Sequence, residues 1–196
     1  MKYFILLSLL LVSSVVSAYE PQLAVGGGFI LNRPDIKYGD LSGTGMSAHE
    51  ETSTSFTIGA RVLMPVSEKL SFRTGLALQE KVAEISYDFS GVSAGAKVKV
   101  LEFAIPLNLQ YQLHEKFSAY GGYVMDLPIN EYCDPTGALP DCSFNEAAKV
   151  THNLNIGGSF HLAEKLDLEL SYQHPMKAVL NDVKIYAWLL QGFYKF

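Results

Sequence analysis

The chain ends with the segment Tyr186-Ala187-Trp188-Leu189-Leu190-Gln191-Gly192-Phe193-Tyr194-Lys195-Phe196. In a β-strand, alternate side chains point to opposite faces. One face of this segment would carry a row of large apolar groups, namely Tyr186, Trp188, Leu190, Tyr194 and Phe196. A strand with an apolar row and a closing Phe predicts a β-barrel that is sealed within lipid.

The first residues predict export from the cytoplasm. Lys2 precedes an apolar run over residues 4–12, and the small residues Val16-Ser17-Ala18 follow it. This is the layout of a secretory signal peptide with cleavage after Ala18. We therefore expect a signal peptide at residues 1–18 and one barrel domain at residues 19–196. No later apolar run approaches the roughly 20 residues of a spanning helix, so a membrane-embedded chain would have to span as a closed barrel.

Composition narrows the classes of partner. The formal net charge of −5 gives no electrostatic reason to expect nucleic acid as a partner. We expect no cofactor and no metal site, since the histidines and cysteines show no metal-ligand spacing. Cys133 and Cys142 are the only cysteines, and an oxidising compartment would allow them to pair.

A short motif that occurs three times predicts the topology. Val66-Ser67-Glu68-Lys69-Leu70 recurs in similar form at residues 113–117 and 162–166. Each copy of the motif separates two alternating apolar runs, which is a hairpin signal. The longer polar stretches between the hairpins, residues 32–53, 80–96, 128–149 and 175–182, are the predicted loops. The eight predicted strands are Gln22–Leu31, Thr54–Met64, Leu70–Gln79, Val98–Leu113, Phe117–Leu127, Val150–Leu162, Leu166–His174 and Val183–Phe196. This pattern predicts an all-β, eight-stranded antiparallel up-and-down transmembrane barrel with short periplasmic turns and longer extracellular loops.

The two faces of the predicted strands differ in polarity. One face is apolar and uncharged, with rows that include Phe56, Ile58, Val62, Leu76, Leu78, Phe103, Leu107, Leu109, Ile156, Leu168 and Leu170. The other face carries Gly, Asn and Gln with a few charges. We expect the apolar rows to face lipid, with aromatic girdles at both boundaries. A soluble, secreted ligand-binding barrel would reverse the two faces.

The charges on the polar face predict a blocked lumen. Eight strands leave an interior just wide enough for side chains to fill. Buried charges need partners, so we expect Arg61 and Arg73 to pair with Glu102, Asp167 and Glu169. The alternative is that these charges form the selectivity filter of a narrow or gated pore.

Three segments resemble known sequences. Residues 100–111, Val-Leu-Glu-Phe-Ala-Ile-Pro-Leu-Asn-Leu-Gln-Tyr, resemble the E-x-P-L-L-x-x-Y strand of small bacterial outer-membrane β-barrel families (porin-like or OmpA-like barrels), and residues 117–123 are similar to their next, Gly-rich strand. The end of the chain, with Gly192, Tyr194 and Phe196, resembles the signal that the barrel assembly machinery reads. The resemblance implies residence in the bacterial outer membrane, with outer-membrane lipid or lipopolysaccharide and the assembly machinery as partners.

The sequence predicts a structural role, or adhesion and recognition through the extracellular loops, without catalysis. A disulfide between Cys133 and Cys142 would brace the third of these loops. In the second loop, Ile85, Tyr87 and Phe89 alternate and could extend the preceding strand, either as an edge that captures another chain or as a cover over the barrel mouth. The alternatives are a narrow pore and a lipid A-modifying enzyme, although neither Ser159 with His161 nor Ser171 with His174 matches a deacylase arrangement.

Overall fold

The computed structural model describes residues 20–36, 46–89, 92–137, 150–178 and 183–196, so the predicted signal peptide lies outside the described residues. The described strands are β1 (Gln22–Ile36), β2 (Met46–Glu51), β3 (Ser53–Pro65), β4 (Leu70–Phe89), β5 (Val92–His114), β6 (Phe117–Gly137), β7 (Thr151–Ala163), β8 (Leu166–Pro175) and β9 (Val183–Lys195). Within these ranges, no helix is long and apolar enough to cross a membrane.

The strands form one closed antiparallel ring. Neighbours follow the order β4-β3-β1-β9-β8-β7-β6-β5, and β5 pairs back to β4. β1 pairs with both β3 and β9, so the last strand closes the barrel against the first. β2 and β3 are two parts of one barrel strand, since both pair with β4 and only Thr52 separates them. The predicted eight-stranded up-and-down topology is therefore confirmed.

The three copies of the repeated motif form the short turns, and together they define the turn end of the barrel. Residues 66–69 link β3 to β4, while Glu115-Lys116 and Glu164-Lys165 form the other two turns. The amides of Val66 and Ser67 both donate to the Leu70 carbonyl, at 2.8 and 3.0 Å. The opposite end, where the longer connections lie, is called the loop end below.

The apolar rows face outward and the polar rows face inward. Ile58, Leu109 and Ile156 are 59%, 55% and 67% exposed, whereas Arg61 and Arg73 are 3% and 5% exposed. Apolar side chains left open over a whole belt, above a polar and charged interior, are the arrangement of a barrel in lipid. The reverse arrangement of a soluble barrel does not occur among the described residues.

Several strands extend beyond the predicted boundaries at the loop end, including β1, which continues to Ile36. β4 continues to Phe89 and β5 begins at Val92, so most of the predicted loop 80–96 is a hairpin instead. β6 continues to Gly137 and β2 occupies part of the predicted loop 32–53. We name these parts, residues 46–51, 81–89, 92–100 and 130–137, the projecting sheet.

Register irregularities mark the base of the projecting sheet. β3 and β4 pair as Thr57 with Gln79, whereas β2 and β4 pair as Glu51 with Glu84, so one extra residue bulges from the β2–β3 strand. A second bulge in β6 lies between the partners of Leu101 and Glu102. Bulges bend and twist a strand locally, and both lie where the wall leaves the apolar belt.

Candidate functional site

A turn-side cluster of charges fills the lumen near the short turns. Arg73 donates two hydrogen bonds to Glu169, from Nη1 to Oε1 at 2.8 Å and from Nη2 to Oε2 at 2.5 Å. Arg61 also binds Glu169, and its Nη2 donates to Asp167 Oδ2 at 2.7 Å. β4 and β8 are four places apart in either direction around the ring, so the Arg73–Glu169 pair spans the barrel.

Aromatic rings cover the guanidinium groups of this cluster. The Arg73 Cζ atom lies 4.0 Å from the Tyr120 ring centroid, and the Arg61 Cζ atom lies 4.6 Å from the Phe193 centroid. Cation–π contacts of this kind are worth about 2 kcal/mol when desolvated. The rings therefore offset part of the cost of burying the two cations.

A separate loop-side cluster holds Glu102, which the sequence placed in a network with the two arginines. The Lys81 ammonium lies 2.9 Å from Glu102 Oε1 and also binds Asp126. Gln79 Nε2 donates to Glu102 Oε1 at 2.7 Å and to Asp126 Oδ1 at 3.2 Å. Glu102 pairs with Lys81 because the two are close on adjoining strands, whereas the arginines lie nearer the turn end. Lys81 was missed because it fell in a predicted loop, although it shares the odd-numbered inward parity of Arg73 and Gln79.

A small chamber of about 50 Å³ lies between the two clusters. Arg61, Arg73 and Gln79 line it together with Asn108 and Asn155. Side-chain atoms of Thr57, Asn108, Asn155 and Gln173 are buried without a hydrogen-bond partner among the described residues. The chamber has room for a few water molecules, and it is bounded by buried ion pairs toward both ends of the barrel.

Ser118, His161 and Asp167 form a hydrogen-bonded chain at the turn end. Ser118 Oγ lies 3.3 Å from His161 Nε2, and His161 Nδ1 lies 2.6 Å from Asp167 Oδ1. These contacts follow the order of a nucleophile, base and orienting acid. Ser118 is only 1% exposed, however, and Asp167 is shared with Arg61 and Lys195. This serine was not a candidate from the sequence, because its partner is 43 residues away.

The outer face of the projecting sheet is polar. Lys97 pairs with Glu84 at 3.0 Å and Lys99 pairs with Asp134 at 2.8 Å. The hydrogen bond from Lys99 to Asp134 raises the pKa of the Lys99 ammonium. Exposed ion pairs are typical of a surface in water rather than in lipid.

The inner face of the projecting sheet is apolar at its base. Ala83, Val98, Val100 and Ile185 form a buried cluster, and Cys133 and Val183 pack against it. Ile185 belongs to β9, so this cluster fixes the sheet to the opposite part of the rim. Cys142 lies outside the described residues, and its disulfide with Cys133 stays a prediction.

Aromatic and charged side chains line an open pocket of about 430 Å³ at the rim, which we name the rim pocket. Its lining consists of Arg33, Pro34, Asp35, Glu50, Tyr172, Tyr186 and Trp188. The Tyr172 ring centroid lies 4.8 Å from that of Trp188 and 6.5 Å from that of Tyr186. Tyr186 Oη donates to Asp35 Oδ2 at 3.4 Å.

The predicted assembly signal lies on the closing strand. Tyr194 and Phe196 are exposed, and their rings pack edge to face with centroids 5.5 Å apart. The Phe196 amide donates to the Leu23 carbonyl at 3.0 Å. Gly192 pairs with Gly27 of β1 and Leu168 of β8. The aromatic end therefore presents its rings to lipid at the seam between the first and last strands.

The sequence matches no protein-family model and no curated protein sequence. Solved structures with a similar fold include Ail, the attachment invasion locus protein of Yersinia pestis, at 13% identity over 91% of this chain and 100% of that one, with a TM-score of 0.49. The outer membrane protein OprG from Pseudomonas aeruginosa is 14% identical over 89% and 95%, with a TM-score of 0.45. Neisserial surface protein A is 12% identical over 91% and 100%, with a TM-score of 0.46. At such identities and TM-scores, neither function nor ligand transfers to this chain.

Proposed function

We propose that this chain is an outer-membrane barrel protein whose working surface is its loop end, where the projecting sheet serves in adhesion or recognition. It reaches the membrane by signal-peptide export and contacts outer-membrane lipid or lipopolysaccharide along its apolar belt. The barrel assembly machinery would read the segment that contains Gly192, Tyr194 and Phe196. The partner at the loop end would be a molecule outside the cell.

The lengths of the strands carry this proposal. β4, β5 and β6 have 20, 23 and 21 residues, whereas a tilted strand crosses a bilayer in about 9–11 residues. Roughly half of each strand therefore lies beyond the belt. A paired sheet with a buried base is more rigid than a loop, and function tends to lie on surfaces that a rigid scaffold positions.

The lumen supports a recognition role rather than transport. Two clusters of buried ion pairs lie in series along the axis, and the Arg73–Glu169 pair crosses it. Removing one partner of a buried pair costs about 3–5 kcal/mol, so spontaneous opening of either cluster would be rare. Ser118 lines a turn-end pocket with His161 and Asp167 but is only 1% exposed. Asp167 is also held by Arg61 and Lys195, which favours a protein without catalysis.

The proposal is tested by shortening the β4–β5 hairpin. Ala83 and Val98 are directly paired, so residues 84–97 can be replaced by Asn-Gly, which favours a two-residue hairpin turn. Cells that produce the full or the trimmed protein are washed over surfaces coated with glycans or extracellular proteins. We expect the full protein to retain cells on at least one coating and the trimmed variant to lose that retention.

A matched control is Glu115→Ala in a short turn at the other end, which should retain cells as the unaltered protein does. Heat-modifiable gel mobility verifies equal amounts of folded barrel. Equal retention by the trimmed variant would contradict the proposal. Steady ion-selective conductance in planar bilayers would favour a pore instead, and a change in lipid A mass that depends on the protein would favour an enzyme.

A further inference from the structure

The rim pocket differs from an ordinary aromatic girdle. At the turn end, Tyr194 and Phe196 pack on each other. At the loop end, Tyr172, Tyr186 and Trp188 instead share a pocket with a guanidinium and two carboxylates. Aromatic residues that only anchor a barrel at the lipid boundary have no need of such charges.

A fork in the barrel wall creates the pocket. β1 pairs with β3 only as far as Asn32 and Ser53. Beyond that point β1 stays with β9 up to the pair of Ile36 and Val183, while β2 follows β4. Glu50 of β2 therefore lines the pocket from one side of the fork, and Arg33 and Asp35 of β1 line it from the other.

The chemistry of the lining matches a carbohydrate. A pyranose ring has apolar C–H faces, which pack on aromatic rings, and a rim of hydroxyls, which hydrogen-bond to charged groups. Tyr172 and Trp188 supply adjoining rings, the carboxylates of Asp35 and Glu50 can accept from hydroxyls, and Arg33 can donate to oxygen atoms. A volume of about 430 Å³ lies within the roughly 300–1,000 Å³ of small-molecule sites.

The charge of the lining selects among carbohydrates. The guanidinium of Arg33 and the ammonium of Lys184, which is the cross-strand partner of Asp35, balance the two carboxylates, so the region around the pocket has no net charge. Sulfated or phosphorylated sugars, including the phosphorylated sugars of lipopolysaccharide, would therefore find no excess of positive charge to hold them. An uncharged oligosaccharide would be accepted, and its hydroxyls would keep the carboxylates hydrogen-bonded.

We infer that the rim pocket is a binding site for an uncharged oligosaccharide presented outside the cell, with Tyr172, Trp188 and Asp35 as its principal contacts. This inference rests on the proposed recognition function and names its ligand class.

The only tryptophan of the chain is Trp188, so its fluorescence reports on this pocket alone. The full protein in nanodiscs is titrated with cellotetraose, chitotetraose and N-acetyllactosamine, and binding is checked by calorimetry. We expect a saturable change in emission with at least one of these probes. Asp35→Asn removes a charge-assisted acceptor and should weaken binding about tenfold, and Tyr172→Ala should abolish it.

Tyr194→Ala is the control, because it removes a girdle tyrosine at the other end of the barrel and should leave binding unchanged. The inference is overturned if no uncharged probe binds, if Tyr172→Ala binds as well as the unaltered protein, or if only sulfated oligosaccharides or lipopolysaccharide bind. If the pocket binds nothing but trimming of the hairpin still abolishes cell retention, the proposed function stands and this inference fails. If a probe binds to the pocket but the full protein retains no cells on any coating, the carbohydrate site stands and the proposed function in adhesion fails.

Discussion

Arg73 and Glu169 meet across the full width of the barrel in a two-pronged ion pair, with distances of 2.8 and 2.5 Å. Their strands, β4 and β8, are as far apart around the ring as two strands can be. The pair therefore both braces the barrel and obstructs its axis. Both consequences can be measured.

Glu169→Gln should destabilise the barrel by about 3–5 kcal/mol, because it leaves Arg73 without a buried counter-charge and Arg61 with Asp167 alone. The measurement is the free energy of unfolding in urea after reconstitution into lipid vesicles. The control is the double variant Arg73→Met with Glu169→Leu, which removes both charges and leaves Arg61 with Asp167. The double variant should be more stable than Glu169→Gln. A free energy of unfolding of Glu169→Gln equal to that of the unaltered barrel would contradict a bracing role for the pair.

The alternation of the strands predicted the barrel, its turns and the inward charges Arg61, Arg73, Asp167 and Glu169. It ended the strands of the projecting sheet too early because polarity inverts along β4 while the register does not, although the alternation of Ile85, Tyr87 and Phe89 did offer the extension of β4 that the structure shows. Below Glu80, the inward residues are polar and the outward ones apolar. Beyond it, Ala83, Ile85 and Tyr87 are on the inward parity, and Glu84, Ser86 and Asp88 are on the outward parity.

The inversion has a physical cause, because outside the belt the surroundings of the strand change from lipid to water. The pattern of polar inward and apolar outward residues holds only within lipid, so the extension of β4 beyond the belt resembled a loop. Lys81 lies at this transition, and the pairing of Glu102 was misassigned for the same reason. The rim pocket was not predicted because it joins β1, β2, β8 and β9, which alternation alone cannot align.

Substitutions at the base of the projecting sheet should destabilise it more than substitutions on its outer face. Val98→Asp places a charge in the cluster with Ala83 and Ile185 and should release the hairpin while the barrel persists. The measurement is amide hydrogen exchange, which should quicken in residues 82–99 and stay slow in residues 103–111. Lys97→Ala removes an exposed ion pair and should change stability by less than about 1 kcal/mol. Equal effects of the two substitutions would contradict the assignment of the faces.

The chain of Ser118, His161 and Asp167 should not act as a hydrolase. A serine that is 1% exposed should not react with a fluorophosphonate probe, in contrast to an activated nucleophile. Mass spectrometry of the treated protein in detergent should find no adduct on Ser118. An adduct that disappears in His161→Ala would show that the serine is activated and would revive the enzyme alternative.

Loss of the last aromatic residue should slow insertion rather than weaken the folded barrel. Phe196 is 72% exposed, so Phe196→Ala removes few contacts within the protein. We expect less heat-modifiable barrel in the membrane fraction but a similar urea midpoint for the barrel that does fold. Leu162→Ala, at another exposed apolar position of the turn end, should leave the yield unchanged. Equal yields from both variants would count against an assembly signal at Phe196.

The position of the projecting sheet outside the membrane is tested most directly by labelling intact cells with a membrane-impermeant maleimide. Single cysteines are placed at Ser86 in the projecting sheet, Leu76 in the apolar belt and Glu115 in a short turn, with Cys133 and Cys142 replaced by serine. The account predicts that Ser86→Cys is labelled on intact cells, Glu115→Cys only after the outer membrane is broken, and Leu76→Cys in neither case. Protection of Ser86→Cys on intact cells, or labelling of Glu115→Cys there, would contradict it.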